Sequence, residues 1–320
     1  MKPPCVLTGL LAALCASLDA YGQNYPVQPI RLVVPFPPGG SNDLVGRIIG
    51  QKLGEGFGQR VVIDNRPGGN GVIGAQLVAK AAPDGYTLLL APAAHAINAN
   101  LQPNLPYDSV KDFAPVTNIA AAPNVLVVHP ALPVRSVAEL IRLARTRPGE
   151  LNFGSAGIGF PSHLAGAMLN SMAKIQMVHV PYKGAGPAII DLISGQIQLS
   201  FSSLPGVLPH LKTGRLRALA VTSTQRSAVM PAVATVTETL PGYTAETWFG
   251  IFAPAGTSRE IVNKLNREIV RIVNLPEVRQ LLSEQGAEPV GSTPEEFAAY
   301  VKAEIEKWGR VIREVGLRAE

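Results

Sequence analysis

The sequence predicts an α/β fold built from two sets of alternating strands and helices. Three observations carry this reading. Short apolar runs rich in β-branched residues alternate with segments of helical period, the pattern of strands connected through helices. Glycine- and proline-rich loops stand between them, from a total of 31 Gly and 28 Pro. The length of 320 residues is enough for roughly two compact units at about 150 residues each. With 47% hydrophobic and 16% charged residues, disorder and coiled coil are excluded.

In chain order, residues 1–22 read as a cleaved secretory signal: Lys2, an apolar run from Cys5 to Leu18, then small residues at Ala20 and Gly22. Both cysteines, Cys5 and Cys15, fall inside it, so a mature chain starting at Gln23 contains none. Lipidation at Cys15 is disfavoured by the bulky Leu14 before it. Ile30–Phe36 reads as a buried strand, Pro37–Asn42 as a loop and Asp43–Leu53 as a helix. Val61–Asp64 is a second strand, Gly71–Ala81 a helix and Tyr86–Leu90 a third strand. The second set comprises strands at Val125–Val128, Leu151–Phe153, Gln176–Val180, Ile197–Phe201 and Arg217–Thr222. Its helices are Ser136–Thr146, opened by Ser136 with Glu139 at capping-box spacing, one following Gly154–Ser162, and Pro187–Ser194. Three helices close the chain, Arg259–Val273, Pro276–Gln285 and Pro294–Val315, each announced by a Ser, Thr or Pro start signal. No further apolar run is long enough to span a membrane.

In open α/β sheets, ligands bind beyond the carboxyl ends of strands, where loops enter helices. Three loops fit. Pro37–Asp43 offers two glycines, Gly39 and Gly40, and a helix start at Ser41 whose free N–H groups favour an anion. Gly154–Gly159 leads to Ser162 and His163. Its glycines are spaced three and two apart, the reverse of the dinucleotide pattern. Val180–Gly184 brings Tyr182 and Lys183 beside backbone amides. Ser202 and Ser203 share a strand-end position. The signatures of serine hydrolases, zinc proteases and nucleotide-binding loops are absent, and the five histidines are too dispersed for a local metal motif. Aromatics at 6% argue against a nucleic-acid stacking surface, and the net charge of +5 is scattered along the chain.

Several motifs together resemble the Bug-type substrate-binding proteins of tripartite tricarboxylate transporters. They are Pro29–Gly40 with Asp43, Asp64–Gly68, Pro83–Leu88, Leu105–Asp108 with Asp112–Phe113, His179–Gly184 and Ala253–Thr257. The resemblance implies a two-lobed periplasmic-binding-protein fold of type II, each lobe a mixed sheet flanked by helices, with a hinge between. It sets lobe 1 as residues 23–122 and 245–320 and lobe 2 as 123–244. It implies a periplasmic, non-enzymatic, monomeric receptor without cofactor or metal, which passes a small carboxylate to a membrane permease and binds no nucleic acid. Ligand contacts carried over by position are Pro37, Gly39, Gly40, Ser41, Asp43, Ser155, Ala156, Gly157, Gly159, His163, Tyr182 and Lys183; Ala94, in the variable stretch Ala91–Asn100, and Ser202 are added as contacts that tune ligand choice. Ala167 departs from the family pattern, which commonly has a glutamate there. Two other readings stay open: a receptor that signals to a membrane sensor, and an extracytoplasmic hydrolase using His163 with Ser155 or Ser162.

Overall fold

The computed structural model describes residues 25–182, 184–284 and 286–317. The signal segment 1–22 and Lys183 lie outside the described residues. Two sheets share one strand. In the first, β1 (Ile30–Val34) pairs in parallel with β2 (Val61–Asn65) and β3 (Thr87–Pro92). β9 (Glu246–Pro254) then joins antiparallel between β3 and β4 (Phe113–Val128), and β10 (Glu288–Pro289) covers the far side of β4. In the second, the end of β4 lies antiparallel between β7 (Leu199–Ser203) and β8 (Arg217–Val221), and β5 (Asn152–Ser155) pairs in parallel with β7 and β6 (Val178–Pro181).

β4 is the link between the sheets. Phe113–Pro123 pairs with β9, and from Asn124 onward the same strand pairs with β7 and β8. Sequence reasoning found only its last four residues, because Pro115 and Pro123 read as strand breakers. Pro115 is accommodated where the register with β9 shifts, a place that tolerates a missing N–H. β9 was also missed; it brings the chain back beside β4 and buries Trp248 completely against Phe297 and Tyr300.

The helices lie where apolar faces demand. α1 (Ser41–Phe57) buries Val45, Ile49 and Leu53 against one face of the first sheet, beside α8 (Arg259–Val273) and α9 (Pro276–Glu284). The opposite face carries α2 (Val72–Ala79), α3 (Ala94–Leu101) and α10 (Pro294–Glu314). Thr293 and Glu296 cap α10 reciprocally, and Ser136 accepts from Glu139 N at the start of α4 (Val137–Thr146). On the second sheet, α6 (Ala185–Ile193) and α7 (Leu204–Lys212) pack on one face. α5 (Pro161–Ala173) packs on the other and meets α10, where Ser171 Oγ donates to Glu314 Oε2 at 2.8 Å. α10 therefore touches both halves. No helix among the described residues is long and apolar enough to cross a membrane.

Candidate functional site

A cavity of about 180 Å³ lies between the two sheets. Ser41, Asn42 and Val45 of α1 form one wall. Ala156, with Phe160, Pro161 and Ser162 at the start of α5, faces them, together with Ala185 and Ala188 of α6 and Ser203 and Leu204 at the start of α7. Ala122 and Asn124 of β4 with Thr247 and Phe249 of β9 close the back, at the point where β4 changes sheets. The first residues of four helices, Ser41, Pro161, Ala185 and Leu204, all stand on this wall. Each helix follows a strand, α1, α5 and α6 through short loops and α7 directly after β7, so their unpaired N–H groups and the positive ends of their dipoles sit at one place. Among the described residues the wall carries no charged side chain. A volume of this size suits a small metabolite and is below that of drug-sized pockets.

Of the residues expected from the sequence, Ser41, Ala156 and Ser202 are on the wall. Ser202 is buried, its Oγ 3.0 Å from Ser200 Oγ, which also bonds Gly154 O. Pro37, Gly39 and Gly40 form the exposed loop that leads into α1. Asp43 faces away from the cavity and ties that loop down. Its Oδ2 accepts from Gly39 N and Arg47 Nε, both at 2.9 Å, and its Oδ1 from Asn65 Nδ2 at 3.0 Å. Burial alone would raise this carboxyl's pKa; the hydrogen bonds from Arg47, Gly39 and Asn65 outweigh it and hold the pKa below the usual range. Ala94 lines a separate small pocket with His95 and Tyr107.

The loop Ser155–Gly159 is shaped from behind. Ser155 is completely buried; its Oγ accepts from Gly157 N at 3.1 Å and lies 2.6 Å from His179 Nε2. Ser162 Oγ accepts from Ala156 N at 3.1 Å. Gly157, at φ +140°, occupies backbone space that side chains rarely enter. His163 is buried and accepts from Gly159 N through Nδ1 at 3.1 Å. Its ring stacks on that of His179, with centroids 3.6 Å apart and planes within 8°. Tyr182 donates from its hydroxyl to Asp191 at 2.7 Å; burial, then Asp191, pushes its phenol up to about 12.

Among the described residues His163 makes no hydrogen bond to Ser155 or Ser162: its Nδ1 accepts from Gly159 N, Ser155 Oγ meets His179 and lies off the cavity wall, and Ser162 Oγ accepts from Ala156 N. The wall residues that the sequence did not single out are mainly Asn124, Phe160, Ser200, Thr247 and Phe249. Four of these sit on β4, β7 and β9, and only the crossing of strands brings them here. Phe160 was legible as the residue next to the flagged loop Gly154–Gly159, and Asn42 lies inside the flagged loop Pro37–Asp43.

Comparison with known proteins agrees with this geometry. The family model for the tripartite tricarboxylate transporter family receptor matches residues 45–317. Protein BugT of Bordetella pertussis is 39% identical over 96% of this chain and 94% of its own. The structure of R. palustris Rpa4515 with adipate has a TM-score of 0.81 at 40% identity, covering 92% of this chain and 99% of that one. MatC (Rpa3494) from Rhodopseudomonas palustris with bound malate gives 0.77 at 34%, covering 90% and 100%. The fold is thus the two-lobed one of periplasmic binding proteins, and the chain belongs to the tripartite tricarboxylate transporter receptor family, whose members are solute-binding receptors and not enzymes.

Proposed function

We propose that the protein is a periplasmic receptor that takes up a small carboxylate in the cleft between its lobes and delivers it to the membrane permease of a tripartite transporter. Lobe 1 is residues 23–122 and 245–320, and lobe 2 is 123–244. The change of sheet along β4 at Pro123 and Asn124 supports that boundary. The observation that carries the reading is the convergence of four helix starts, α1 from one lobe and α5, α6 and α7 from the other, on a single cavity. About half a positive charge resides at each helix N-terminus, so the set solvates a carboxylate with main-chain donors alone. Because the donors come from both lobes, the anion joins them, and the closed form gains contacts that the open form lacks. The related proteins solved with adipate and with malate make dicarboxylates the first ligands to try.

Thermal shift of ligand-stripped protein against mono-, di- and tricarboxylates, amino acids and aromatic acids tests this. A cognate acid at 100 times its dissociation constant stabilises the fold by about 2.7 kcal/mol. No shift with any acid overturns the carboxylate reading. Loss of uptake in a deletion strain, restored by the gene, tests delivery to a permease.

A further inference from the structure

His163 and His179 do not line the cavity, yet they hold the loop that does. The rings are stacked at 3.6 Å, and Phe153 of β5 lies with its centroid 5.0 Å from His179 on the inner side. From this stack His163 Nδ1 accepts the Gly159 amide, and His179 Nε2 meets Ser155 Oγ, so the two rings grip the two ends of Ser155–Gly159. Gly159 is also where the second lobe meets the first: a Cβ there would clash with Leu101 Cδ2 of α3.

We propose that His163 and His179 are positioning residues for the loop Ser155–Gly159, acting as a neutral stacked pair, so that protonation frees the loop and weakens ligand binding. This rests on the reading of the cleft as the ligand site. The chemistry follows from the donor inventory. A neutral imidazole has one acceptor nitrogen, and in His163 that acceptor is Nδ1, occupied by Gly159 N–H. An imidazolium has none, so protonation at Nδ1 sets two donors against each other. A second proton on His179 would place like charges on rings in van der Waals contact.

The groups around the pair do little to offset this. A hollow behind it is lined by Asn170, Ser171 and Lys174 at the end of α5 and by Met177 next to β6. Glu314 of α10 also reaches this hollow, and its Oε2 accepts from Ser171 Oγ. Burial pushes both imidazoles down to about 4, and for His179 the neighbouring His163 adds to it. A free imidazole has a pKa near 6.5. The buried stack therefore disfavours the proton, and by linkage acid disfavours the stack and with it the bond that His163 Nδ1 accepts from Gly159 N, increasingly so as pH falls below about 6.5.

The test compares wild type with His163→Asn/His179→Gln, which keeps an acceptor for Gly159 N and an amide for Ser155 Oγ but cannot titrate. In ligand-free protein, amide-exchange protection of residues 156–159, corrected for intrinsic rates, is expected to fall at least tenfold from pH 7.5 to 5.0 in wild type and to stay level in the variant. With adipate as probe, the dissociation constant is expected to rise at least tenfold more in wild type than in the variant over the same range. The variant serves as reference because carboxylates of the probe titrate nearby too. Equal pH profiles for the two proteins in the exchange measurement overturn the proposal. Adipate failing to bind at pH 7.5 counts against the ligand reading instead, and the exchange result still decides the loop. If the variant does not fold, NMR titration of wild type decides: the amide shifts of residues 156–159 follow the histidine midpoints, and amides that stay still while the rings titrate overturn it.

Discussion

Asn42→Asp changes one atom of the cavity wall and separates folding from binding. Asn42 is in the first turn of α1 with its Oδ1 buried and without a partner among the described residues. An aspartate of the same shape there interacts favourably with the helix dipole, by about 0.3–1 kcal/mol, so thermal stability is expected to hold or rise slightly. Binding should respond the other way. A cavity of 180 Å³ is about 7 Å across if taken as a sphere, which bounds the distance between the new carboxylate and any bound anion. At an effective dielectric of about 20, two unit charges about 7 Å apart repel by about 2.4 kcal/mol, a loss of roughly 50-fold in affinity. Isothermal titration with adipate or another acid found in the thermal-shift screen, at low salt and pH 7.5, measures it. Affinity within threefold of wild type, in a protein whose melting temperature has not fallen, would refute the placement of the anion beside α1.

Two further expectations concern the groups that hold the site. Asp43→Asn removes the anionic partner of Arg47 and leaves buried bonds to Gly39 and Asn65 mismatched, and is expected to cost about 1–3 kcal/mol in urea unfolding at pH 7. Because the folded pKa of Asp43 is depressed, its stabilisation is present above the ordinary carboxylate value and lost as pH falls through the folded one, so the difference from the variant should close below about pH 4. At the first residue of β9, burial raises Glu246 to about 7, with Glu288 and Glu304 adding to it against Lys307. A raised carboxyl contributes stability that is present below its ordinary pKa and lost as pH rises through about 7. Glu246→Gln should therefore gain on wild type by about 2–3 kcal/mol between pH 5 and 8, most of the roughly 3 kcal/mol that the full shift represents at 1.36 kcal/mol per unit. Parallel stability curves for the two proteins would contradict this.

The alternation of strands and helices, and the loops that feed the site, were readable in the chain because they are local. IRLVV is buried as a β-strand at β1, and the Ser136 and Thr293 caps open helices where the side chains dictate. Glycine-rich stretches mark three of the four turns whose helices start at the cavity; the fourth, before α7, carried only the weaker signal of Ser202 and Ser203. The path from the first sheet to the second was not readable. The prolines of β4 obscured the strand, and its role as a shared strand exists only through pairing with β9, β7 and β8. The same holds for α7, where Pro209 inside the helix hid its period.

Residue types announced that His163, Asp43 and Tyr182 had polar work to do, but tertiary structure decided where. His163 meets His179, sixteen positions on, only because α5 packs against β6. Asp43 turns from the cavity because Asn65, at the end of the paired strand β2, reaches its carboxylate first. Local propensity follows from neighbours in sequence, and so the elements and their loops were fixed there. A cavity lined by four helix starts and the crossing of two strands depends on residues up to 246 positions apart, as between Ser41 and Ala287, and only the packed chain brings them together.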